Sequence, residues 1–196
     1  MSAAFDHRPP SRMTVDEFLA WEPADAAESR WQLVDGELAA MASARFSHAS
    51  LQGEIARLLG NHLVASGRPC VVATEAGVIP RLGAQDNFRV PDLGVTCAPP
   101  SDDAMIPEPV LLVEIMSPNN RAATRANLWA YATIPSVQEI LVIQSTRIEA
   151  ELLRRDGEGN WPSGPEMIVA DGPLELRCIG FSCRLADLYR TTFLAV

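Results

Sequence analysis

The sequence predicts an α+β domain of mixed α/β character: a curved central mixed sheet flanked by helices, with an N-terminal hairpin and extra C-terminal strands. Three observations carry this. "SRWQLVDGELAAM" places Asp35-Gly36 between two alternating runs, a strong hairpin signal. "SHASLQGEIARLLGNHLVASG" repeats Leu51, Ile55, Leu58, Leu59 and Leu63 at mostly helical spacing. "PVLLVEIM" is a short, nearly continuous aliphatic run, as a buried strand requires.

The remaining elements follow in order. Thr14 with Glu17 three residues on forms a capping-box pattern that opens a short helix in "MTVDEFLAW". After the hairpin and the long helix, which stops near Gly67, "PCVVATEAGVIPRL" and "NFRVPDLGVTC" read as strands joined by a "GAQDN" turn. The aliphatic run gives a third strand. "NNRAATRANLWAYATI" reads as a helix halted before Pro135, with Leu128, Trp129 and Tyr131 as core. "VQEILVIQ" and "RIEAELLRR" are strands, "DGEGNWPSGP" a loop, and the tail adds short strands and a final turn. The 196 residues suit one domain, 1–196, with residues 1–12 expected to be disordered.

Composition excludes some functions. The net charge of −9 opposes avid, non-specific nucleic-acid binding, while a small basic patch remains compatible with phosphate contact. All 16 basic residues are arginine, so no chemistry that needs a lysine side chain can run here. No apolar run approaches the roughly 18 residues of a membrane span, and the first residues lack a signal-type apolar segment. A cytoplasmic protein without a membrane partner is expected. Cys70, Cys97, Cys178 and Cys183 have no CxxC spacing and are expected to be reduced, buried and small.

Two carboxylates stand out. Glu114 interrupts the aliphatic run from Val110 to Ile115, and Asp92 follows Pro91 within another apolar run. An ionised carboxylate is costly to bury without a partner, so two of them on consecutive strands point to a shared site. Strand parity puts Leu112, Glu114 and Met116 on one face. Glu75, on the strand before Asp92, is a candidate third carboxylate. His62 reads as a helix-face residue.

The combination "LVDGELAAM", "SHASLQGEIARLL", "RVPDLGV", "LLVEIMSP" and "LWAYATIPSVQEILVI" resembles the Uma-two family of the PD-(D/E)XK nuclease superfamily, over nearly the whole chain. The resemblance implies a restriction-endonuclease-like core and a site binding Mg²⁺ or Mn²⁺ through Asp92 and Glu114, with Glu75 as a possible third ligand. It also implies DNA as the partner and hydrolysis of its phosphodiester bonds, and it sets Glu37 and His48 at positions that flank the cleft. By analogy with such folds, a homodimer is expected.

One place departs from the pattern. The superfamily lysine two residues after the acid is Met116 here, and the alternative lysine position on the following helix is Asn127. Helical geometry rotates Arg125 by about 200° and Arg121 by about 120° from the face of Asn127. Arg89 lies an odd number of residues from Asp92 and is expected on the opposite side of its strand. Asn127 is therefore counted among the catalytic positions as an uncharged hydrogen-bonding substitute. Two readings follow: a metal-dependent endonuclease, or a catalytically lapsed nuclease fold kept as a binding module. On the first, Asn127→Lys is expected to return the missing charge.

Overall fold

The computed structural model describes residues 12–21 and 30–195; apart from Arg12, the stretch expected to be disordered lies outside them. α1 (Val15–Leu19) starts at Thr14 with the reciprocal cap that the sequence predicts. Glu17 N–H donates to Thr14 Oγ1 at 3.2 Å, and Thr14 N–H donates to the Glu17 carboxylate at 2.7 Å. β1 (Arg30–Val34) and β2 (Glu37–Met41) form the expected hairpin. Its turn residues Asp35 and Gly36 hold φ of 50° and 80°, the left-handed pair that suits the twist of the strands.

A six-stranded sheet follows, in which spatial order equals chain order: β3 (Val71–Thr74), β4 (Leu93–Thr96), β5 (Pro109–Met116), β6 (Glu139–Gln144), β7 (Glu149–Arg154) and β8 (Glu166–Val169). Every neighbouring pair is antiparallel except β5 and β6. Parallel strands cannot be joined by a tight turn, and α3 (Arg121–Ala132) makes the crossover. β9 (Pro173–Leu176) and β10 (Phe181–Arg184) form a second hairpin, followed by a 3₁₀ turn at Leu185–Tyr189.

The two faces of the sheet are covered separately. α2 (Phe46–Ala65) lays Leu51, Ile55, Leu59 and Leu63 on Leu93, Val95, Leu111, Val113 and Ile115. α3 packs Leu128 and Tyr131 on the other face, against Leu112, Met116, Ile140 and Val142. The parity read from the sequence holds, because Leu112, Glu114 and Met116 all turn towards α3. Trp129 departs from expectation: it is 80% exposed, on the side of α3 away from the stripe formed by Thr124, Asn127, Leu128 and Tyr131.

The strands around residues 70–97 are shorter than their sequences suggest. Glu75 adopts φ of 55°, and Pro91 cannot donate to a ladder, so the segment between them leaves the sheet. It folds back on itself through a bridge at Val78–Arg89 and docks on the first hairpin through a bridge at Leu33–Phe88. Gly77 permits this, because the Phe88 ring occupies the space a Cβ would take. The register of the two flanking strands then matters for the site. Leu93 pairs with Thr74 on one side and with Val113 on the other. One step further along both registers, Asp92 stands between Glu75 and Glu114.

The same register corrects the expectation of four reduced cysteines. Val71 pairs with Thr96, so Cys70 and Cys97 face each other and form a disulfide, while Cys178 and Cys183 are free. The two partners lie 27 residues apart, and only strand pairing brings them together. Closing a loop of that length should stabilise the fold by about 3.5 kcal/mol. A urea titration with and without dithiothreitol should show that loss on reduction, and Cys97→Ala should be insensitive to the reductant.

Candidate functional site

Asp92 sits where the β4 ladder stops. Its Oδ2 accepts the Ile115 N–H of β5 at 2.5 Å, taking over a donor that the departing strand no longer reaches. Its Oδ1 lies 3.0 Å from His48 Nε2, in the first turn of α2. Its backbone carbonyl accepts from Gln52 Nε2 at 2.9 Å and from Glu75 N–H at 3.2 Å. The carboxylate is thereby fixed from a helix on one side and a strand on the other.

Glu114 is buried on the α3 face of β5. One oxygen, Oε1, accepts the Tyr131 hydroxyl at 2.7 Å and the Asn127 amide at 3.1 Å. The two donors are four residues apart and so share one helix face. Oε2 has no hydrogen-bond partner among the described residues, and Glu114 lines an adjoining cavity. Burial and the nearby Asp92 push the Glu114 carboxyl up to about 8, against the opposing pull of Tyr131 and Asn127. The Tyr131 hydroxyl is held well above its ordinary value by burial and then by Glu114.

The cavity measures about 650 Å³ and opens between the first hairpin and the starts of α2 and α3. Asp92, Glu114, Asn127, His48 and Glu75 all line it. Arg30 and Arg45 are the lining arginines. Glu75, turned by its left-handed backbone, forms an ion pair with Arg30. Among the described residues no three His, Cys, Asp or Glu side chains converge as a ready-made metal cluster. Glu37 is not brought to the site: it is exposed at the turn end of β2, whereas Ala40 and Met41 at the far end line the cavity. His62 stays on its helix face, 3.0 Å from the Ile179 carbonyl.

The donor set fits a hard divalent cation. Two carboxylates on adjacent strands repel each other, one keeps an oxygen free, and no arginine pairs with either among the described residues. Mg²⁺ is commonly held by one or two carboxylates, with water and phosphate completing its shell. Asp92 and Glu114 supply that minimum without Glu75.

Two residues of the site were missed. Tyr131 was read as core, which it is, yet its hydroxyl also holds Glu114. Its shared helix face with Asn127 was the available signal. Arg89 was placed on the wrong side of its strand. Side-chain parity holds only along a continuous strand, and the chain leaves the sheet between Arg89 and Asp92. Arg89 consequently reaches Asn127, donating to its Oδ1 at 3.2 Å. A lysine at position 127 would meet this guanidinium rather than an empty face. Arg125 behaves as helical geometry requires, forming a two-fold contact with Glu151 at 2.6 Å for each bond, away from the carboxylates.

Comparison with known proteins identifies the family and the fold. The model of the Uma2 family, described as "Putative restriction endonuclease", matches residues 15–169. An uncharacterised protein of Synechocystis sp. is 29% identical over 185 residues, covering 91% of this chain and 92% of its own length. A crystal structure described as "a putative nuclease belonging to DUF820", from Anabaena variabilis, superposes with a TM-score of 0.70 at 17% identity. It covers 90% of this chain and 97% of the other. At that identity the likeness establishes a shared fold.

The raised Glu114 carboxyl gives a signed expectation for stability. Its folded value of about 8 lies above the ordinary 4.5, so the folded state binds the proton more tightly. That stabilisation is complete below about 4.5 and is lost as pH rises towards 8. Glu114→Gln does not titrate and keeps an acceptor for Tyr131 and Asn127. In metal-free buffer it should gain more than about 1 kcal/mol on the wild type between those limits. Urea titrations at both ends of the range check this; a constant difference would contradict the burial of the charge.

Proposed function

Because the chain belongs to the Uma2 family of restriction-endonuclease-like proteins, we propose that it is a metal-dependent endonuclease hydrolysing DNA phosphodiester bonds at the Asp92–Glu114 cleft. One observation carries the reading: two carboxylates opposed across β4 and β5, each anchored through one oxygen or both, with Glu114 Oε2 left to the cavity. Mg²⁺ or Mn²⁺ would be held by these two side chains. When bound, such an ion supplies the Lewis acidity and charge neutralisation that phosphodiester hydrolysis at neutral pH demands.

The protein's own residues do the positioning. His48 and the Ile115 N–H hold the Asp92 carboxylate in one orientation. Tyr131 and Asn127 do the same for Glu114 while excluding water from its buried side. Arg30 and Arg45 lie where a phosphate backbone would enter, which supplies the local positive charge that the acidic chain as a whole lacks. Glu75 is proposed as a conditional ligand, available once Arg30 turns to a phosphate. A cytoplasmic location and a homodimer, the latter expected by analogy with the fold, belong to the same proposal, and sedimentation checks the oligomer.

A second reading has its own observation. The position two residues after Glu114 is Met116, fully packed in the α3 core and unable to offer a cation. On that reading the fold binds nucleic acid or protein without cutting it.

Mn²⁺ or Mg²⁺ should raise the melting temperature, because a ligand bound only to the native state stabilises it by mass action. The rise should vanish in Asp92→Ala and shrink in Glu114→Gln. Plasmid DNA with Mn²⁺ should be nicked by the wild type and left intact by Asp92→Ala. Metal-dependent stabilisation without cleavage would favour the binding module, and an equal shift in all three proteins would refute the site.

A further inference from the structure

Arg89 is the one buried arginine of the described residues whose guanidinium contacts no carboxylate. It is 7% exposed, and its Nε lacks any hydrogen-bond partner. A buried charge in such a position is expensive, so its environment must compensate it by other means. It does so through two amides. One guanidinium nitrogen donates to Asn87 Oδ1 at 2.8 Å, the other to Asn127 Oδ1 at 3.2 Å. Each asparagine then passes a donor to a carboxylate: Asn87 Nδ2 to Asp35 at 3.0 Å, and Asn127 Nδ2 to Glu114 at 3.1 Å.

We propose that Arg89 is the positioning cation of the carboxylate site, acting on Glu114 through Asn127. Its first role is geometric. An amide has two ends, and a guanidinium that can only donate forces Asn127 to turn Oδ1 inward and Nδ2 towards Glu114. Without it, Asn127 Oδ1 loses its donor and the amide is oriented by Glu114 alone. Its second role is electrostatic: a buried positive charge one amide away from Glu114 lowers the negative potential felt by a cation bound to the carboxylates. The inference rests on the metal-site reading proposed above.

The two roles predict opposite signs in one variant. Arg89→Met should slow DNA cleavage by tenfold or more, because Glu114 loses its directed donor. The same variant should bind Mn²⁺ about three- to tenfold more tightly by calorimetry, because the opposing charge is gone. A merely structural role cannot produce that pair of effects, since a disordered site binds metal more weakly. Arg89→Gln keeps a side-chain donor without the charge; it should tighten Mn²⁺ binding similarly and serves if the Met variant does not fold. Arg89→Lys keeps the charge but cannot span both amides, and its Mn²⁺ affinity should stay within about twofold of wild type. Weaker or unchanged Mn²⁺ binding in the neutral variants would overturn the assignment of Arg89 alone. No saturable Mn²⁺ binding in the wild type, or binding that survives Asp92→Ala, would remove the metal site and this role with it.

Discussion

The burial of the Glu114 carboxylate inside a sheet covered on both faces is the constraint from which most of the architecture around the site follows. β5 is aliphatic at almost every other position because α2 covers one face and α3 the other. A polar group on such a strand must be met by donors that arrive from the covering layer, since water has no access there. α3 meets it with Tyr131 and Asn127, one turn apart, both directed at the same oxygen. The helix is thereby tied to the strand in register as well as by apolar contact. The other oxygen is left without a partner among the described residues, and Glu114 shares the lining of the cavity with Asp92.

Asp92 obeys the complementary rule. It stands at the end of its strand, where the ladder has unmatched donors, and it satisfies one of them with its own side chain. A carboxylate there costs little to desolvate, because it replaces a backbone acceptor that the fold would otherwise lack. The pair thus joins a carboxylate locked in the core to one at a ladder's frayed end. Their proximity is a consequence of pairing register, with no need for a dedicated loop.

What the sequence disclosed, and what it withheld, divides along the same physical line. Local and periodic features were legible: the Thr14 cap, the Asp35-Gly36 turn, the stripe of α2 and the parity of β5 each depend on residues within one or two turns. The paired acids were legible because charge inside an aliphatic run contradicts its surroundings. Features that depend on how strands align were not. Cys70 and Cys97 meet only through the β3–β4 register, and Arg89 changes sides only because the chain bends away from the sheet before Asp92. Trp129 failed for a different reason: an aromatic beside two core residues on a helix is not itself on their face.

The placement of the arginines explains how a chain without lysine can still set a charge near its site. Arg125 and Arg154 are consumed by buried glutamates, Glu151 and Glu139, in direct contacts of 2.5 to 2.6 Å. Arg89 is left to amides. A guanidinium suits that position because its planar fork reaches two acceptors at once, where an ammonium on a flexible stem would have to choose. The fork also joins the hairpin to the sheet, since Asn87 accepts the Asp35 N–H at 3.1 Å while its amide donates to the Asp35 carboxylate. A displacement of the hairpin would therefore be felt at Asn127, and through it at Glu114. The polar chain from Asp35 to Glu114 links the docking of the first hairpin to the orientation of a core carboxylate, and its amides offset part of the cost of burying the Arg89 charge.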